Sequence, residues 1–104
     1  MTEHNLQRPG PETPDLYEQD GLGRKAIVHE HYFIGGCDWW ITEYNKEKDI
    51  AFGFACLGDP QNAELGYVSL TELEQIRVNG VFPVELDMWW DKCPVGEVME
   101  QFNR

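Results

Sequence analysis

The chain has 104 residues, 19 of them acidic and 8 basic, and a formal net charge of −11. That length holds one domain with a thin core, and the charge repels phosphate backbones, which argues against direct nucleic-acid binding and favours a basic protein partner. Cys37, Cys56 and Cys93 are odd in number and form no C-x-x-C pair, and no apolar run reaches signal-peptide or membrane-spanning character, so the expectation is a cytoplasmic protein without a disulfide framework.

Residues 1–14 carry three prolines and almost no apolar side chains, which predicts a flexible leader ahead of a single domain over 15–104. Removing them takes away only Glu3, Glu12 and Arg8, so the acidity belongs to the domain. Asp20-Gly21-Leu22-Gly23 is a turn signal, and the β-rich run Ile27 to Ile34 reads as a strand. Gly35 to Asp38 turns the chain into a second strand, Trp39 to Tyr44. After the polar loop Asn45 to Asp49, Ile50 to Leu57 forms a third strand. Its bulky face is Ile50, Phe52, Phe54 and Cys56, and its small face is Ala51, Gly53 and Ala55. Leu65 to Val68 is a short fourth strand.

Ser69 and Glu72 have capping-box spacing and open a helix over about 69–79, with Leu70, Leu73 and Ile76 on one stripe and Asn79-Gly80 as its stop. From Val84 to Trp90 the pattern alternates: Val84, Leu86, Met88 and Trp90 share one face, and Glu85, Asp87, Trp89 and Asp91 the other. This predicts a half-buried fifth strand. Pro94 suits the start of a short C-terminal helix. The fold class is therefore α+β: an antiparallel meander of about five strands, with the short helices covering one face.

Several segments also resemble a known family. They are Leu16 to Gly23, Trp39-Trp40-Ile41-Thr42-Glu43-Tyr44, Ala51-Phe52-Gly53-Phe54, Glu64 to Glu74 and Phe82-Pro83-Val84-Glu85-Leu86-Asp87. In this order they resemble the signatures of the family called domain of unknown function 2958, over roughly residues 16 to 92. The chain departs from that pattern at Leu86, where the family usually carries Arg, and at Val78-Asn79-Gly80, where it tends to carry Arg-Gly. The resemblance implies an association with mobile genetic elements and an accessory or host-interaction role. The family carries no established activity over to this chain, and the expectation is of no cofactor and no catalytic residue.

Read as residues, three sets of side chains carry chemistry. Trp89, flanked by Glu85, Asp87 and Asp91, would be a solvent-facing indole ringed by carboxylates, suited to a basic partner through burial and cation–π contact. His29 and His31 lie two apart in an expected strand and, with Cys37 and Asp38, are weak candidates for a metal site; the competing reading is a partly solvated strand face. Glu43 shares an expected face with Trp39 and Ile41 and could act as an acid or base if unpaired. The functional expectation is a non-enzymatic, acidic protein-binding module, in the mobile-element setting an inhibitor or nucleic-acid mimic. The alternatives are a small enzyme or metal protein using His29, His31 and Glu43, and a structural subunit or homodimer.

Overall fold

Neighbouring residues in an extended strand point to opposite faces of its sheet, so Trp39 and Trp40 belong to two different cores. The computed structural model, which describes residues 5–104, shows both. Strands β2 (Glu30–Ile34), β3 (Cys37–Asn45), β4 (Ile50–Leu57), β5 (Glu64–Ser69) and β8 (Glu85–Leu86) form one antiparallel sheet in the order β5-β4-β3-β2-β8. Two small ladders sit beside it: β1 (Ile27–Val28) with β9 (Cys93–Pro94), and β6 (Arg77–Val78) with β7 (Phe82–Pro83). Helix α1 spans Leu70–Gln75 and α2 spans Val95–Glu100.

On the Trp39 face, Tyr32, Ile34, Ile41, Ala51 and Val68 pack with Leu70 and Leu73 of α1 and with Leu6. On the Trp40 face, Val28, Phe54 and Cys56 pack with Val95 and Val98 of α2. The fold is α+β with a five-stranded antiparallel sheet, as expected, but its two helices lie on opposite faces rather than on one. The reason is the apolar content of both faces: neither Trp39 nor Trp40 can be left to water, and each needs a covering layer.

β3 and β4 follow the sequence closely, with one local difference that decides where the polar groups go. The register between them shifts at Ile41/Glu43, so Thr42 is an extra residue and Glu43 pairs with Phe52. A one-residue slip sends later side chains to the other face. Glu43 therefore leaves the Trp39–Ile41 face, where simple alternation put it, and joins the Trp40 face. Gly53 lies opposite this bulge. A Cβ there would come within 2.0 Å of the Trp40 carbonyl oxygen, so only glycine fits.

Three further elements differ from expectation. The predicted strand Ile27 to Ile34 breaks at His29, whose backbone N–H donates to the Ile41 carbonyl between β1 and β2. The helix opened by Ser69, whose Oγ accepts from the Glu72 N–H, stops at Gln75. Asn79 and Gly80, at φ 55° and 70°, turn the β6–β7 hairpin instead of ending that helix. The alternating run from Val84 is a strand only over Glu85–Leu86; after it the chain turns, and Met88, expected inward, is 70% exposed.

The segment expected as a flexible leader is, over its described part, packed along the sheet. Leu6 is 5% exposed in the Trp39-face core, and the Gln7 carbonyl accepts from the Tyr32 hydroxyl. Arg8 bonds Asp49 at 2.8 Å and Glu74 at 2.8 Å, and the Pro14 carbonyl accepts from the Tyr44 N–H. Residues 1–4 of that expected leader lie outside the described residues. Among the described residues no helix is long and apolar enough to cross a membrane.

Candidate functional site

β2, the strand between β3 and β8, carries His31 on the Trp40 face. Its register places His31 beside Trp40 and Phe33 between Asp38 and Glu85. The imidazole stacks on Trp40, with centroids 5.2 Å apart and planes 8° from parallel, and lies 5.4 Å from Trp90. Nε2 sits 2.8 Å from Asp38 Oδ1 and Nδ1 sits 2.9 Å from Asp87 Oδ2. A doubly protonated ring has one donor for each carboxylate. The hydrogen bond from His31 holds the Asp87 carboxyl below the usual range, against the opposing effect of burial.

The other oxygen of Asp87 accepts from the Trp89 N–H at 3.0 Å, and the Asp87 carbonyl accepts from the Trp90 N–H. This side-chain-closed turn stops β8 and separates the two indoles. Trp90 swings inward and donates through Nε1 to the Val28 carbonyl at 3.0 Å. Trp89 is left 91% exposed. Of the carboxylates predicted to flank it, Glu85 and Asp91 are exposed, while Asp87 is half-buried and spent on holding the turn. Among the described residues no lysine or arginine makes an ion pair with Glu85, Asp87 or Asp91. Lys92, the nearest in sequence, lies 3.8 Å from Glu12. His31 and Asp38 belong to this surface as supports. The tie of His31 to Asp87 spans 56 residues of sequence, and no local spacing signals it.

The other predicted residues go elsewhere. His29 is at the β1–β2 break; burial pulls its pKa down, reinforced by Lys92 and opposed by Glu12, and its Nδ1 is buried without a hydrogen-bond partner. Cys37 pairs with Ile34 and packs against the Trp39-face core, on the side of the sheet away from His31, and burial pushes its thiol up. Among the described residues no group of three or more His, Cys, Asp or Glu side chains is placed to hold a metal ion. Glu43 is 6% exposed, and both of its oxygens are used: Oε1 accepts from the Tyr17 N–H at 2.9 Å and Oε2 from the Gln19 N–H at 2.8 Å. Gln19 in turn donates to the Ile27 and Thr42 carbonyls and accepts from the Ile27 N–H. Glu43 thus ties the 15–25 loop to the sheet, a structural task that accounts for its burial.

The fold and this surface define a small α+β domain that presents an indole from a rigid turn on an acidic background. The chain belongs to the DUF2958 family, a protein of unknown function, whose family model matches residues 13–97. No curated protein and no solved structure matched the chain.

Proposed function

We propose that this domain is a non-enzymatic, acidic protein-binding module that engages a basic partner through Trp89 with Glu85 and Asp91, and with Asp87 as the residue that presents the indole. The observation that carries this reading is the position of Trp89: a large apolar side chain left in solvent on a turn fixed at both ends. Indoles dominate binding energy at protein interfaces, and a cation over the ring adds electrostatic attraction. The net charge of −11 would steer a basic partner toward the domain. An accessory role in a mobile element or in host interaction, with carboxylates presented in place of phosphates, fits the same chemistry.

Affinity capture from native host extract at low and high salt tests the reading. The partner should be retained at low salt, released at high salt, and lost with the Trp89→Ala variant. Retention that ignores both salt and Trp89 would remove the proposal.

A further inference from the structure

A second feature on the Trp40 face lies at the other end of the sheet, over β4 and β5. A cleft of about 420 Å³ opens there, with the aromatic residues Tyr17, Phe52 and Tyr67 and the acidic residues Asp20 and Glu43 in its lining. No lysine or arginine lines it among the described residues. We propose that this cleft binds a small organic cation of the methylated-ammonium class.

Three observations converge on that chemistry. The aromatic residues contact one another: Phe52 and Tyr67 meet edge to face at 5.3 Å and 72°, and the Tyr17 hydroxyl lies 3.0 Å from that of Tyr67. A cation is attracted to such ring faces, and aromatic enclosures are a recurrent solution for quaternary ammonium groups. The charged residues that line the cleft, Asp20 and Glu43, are both acidic. The Tyr67 phenol is pushed up first by its hydrogen bond to Tyr17, then by burial, and further by the carboxylates of Glu43 and Asp20. Finally, Tyr17 occupies φ 73°, a region a non-glycine residue adopts only when its surroundings enforce it. There its N–H donates to the Glu43 carboxylate and its carbonyl accepts from the Asp20 N–H. The buried acid thus anchors the backbone of one of the cleft's lining residues. A bare ammonium would need several hydrogen-bond acceptors in place of its lost water, whereas a methylated one offers an apolar shell that matches these rings.

Choline and its neutral isostere, in which carbon replaces the quaternary nitrogen, separate this proposal from simple apolar binding. Each is titrated into the full chain and followed by amide shifts of Thr42 and Tyr67, both in the cleft's lining. Choline should saturate those shifts and bind about tenfold more tightly than the isostere. Tyr67→Ala should cost choline about tenfold in affinity. Tyr67 is 60% exposed, so the variant keeps the fold, which its thermal unfolding midpoint verifies. Asp20→Asn should weaken choline and leave the isostere unchanged. Equal affinity for the two probes, absence of saturable shifts, or indifference to Tyr67→Ala would each overturn the proposal.

Discussion

One carboxylate oxygen of Asp87 accepts from the backbone N–H of Trp89 at 3.0 Å, while its other oxygen lies on the ring of His31 at 2.9 Å. The exposed indole is therefore held by a chain of contacts that ends in the aromatic stack on Trp40. Asp87→Ala should lower stability by about 1–2 kcal/mol, because it removes the turn's anchor and leaves the half-buried His31 short of a partner. Trp89→Ala should change stability by no more than about 0.5 kcal/mol, since it removes only surface. Urea unfolding of the two variants measures the contrast; equal effects would mean that the turn does not depend on Asp87.

The acid limb of stability carries a signature of the packed N-terminal segment. Asp49 bonds Arg8, Tyr44 and Thr71, and the Arg8 hydrogen bond leads in pulling its carboxyl down to about 2. A carboxylate with a lowered folded-state value stabilises fully above its unfolded value, and that contribution fades as pH falls through the folded one. Stability should thus drop between the usual aspartate range and about pH 2. In Arg8→Ala the loss should be shallower, with about 1–2 kcal/mol less stability at neutral pH. Acid titration of unfolding free energy in both proteins reads this directly.

Removing residues 1–14 should destabilise the domain rather than trim a loose end. Leu6, the Gln7 carbonyl and Arg8 each close part of the Trp39-face core or its rim. Burial of Leu6 alone contributes roughly 2 kcal/mol. A truncated chain that melts at the temperature of the full chain would show that these contacts carry no weight.

Glu43→Gln should cost nearly as much as Glu43→Ala, about 2–3 kcal/mol, because the two backbone N–H groups meet different oxygens and the amide sets its own NH2 donor against one of them. Gly53→Ala should cost about 3 kcal/mol or more, since the new methyl meets backbone rather than a movable side chain. Denaturant midpoints for the three variants check both statements. A tolerated Gly53→Ala would contradict the close approach of β3 and β4.

What the sequence reveals, and what it hides, follows from the range of the interactions. β3, β4 and the Ser69 cap are written in local patterns: β-branched and aromatic runs, a polar loop at Asn45 to Asp49, and a hydroxyl three residues ahead of Glu72. The outward aim of Trp89 is also local, although a turn rather than a continued strand produces it. The bulge at Thr42 is not local, because it depends on how β3 meets β4, and it reassigns Glu43 to the opposite face. The burial of Leu6 and the pairing of Arg8 with Asp49 and Glu74 join residues far apart in the chain, so the proline-rich composition reads as a leader while the apolar and charged anchors within it go unrecognised. His31 is legible as a titratable strand residue, but its two carboxylate partners come from β3 and from the turn after β8.

The proposed binding role requires that the Trp89 indole meet a cationic partner. Nitrogen–proton correlation spectra resolve indole N–H signals, and the purified captured partner can be added stepwise at low salt. The Trp89 signal should shift and broaden, with the change reversed by salt, while the Trp90 signal, tied to the Val28 carbonyl, stays in place. A complex that forms with the Trp89 signal unmoved would show that the partner docks elsewhere and would overturn the proposed role of Trp89.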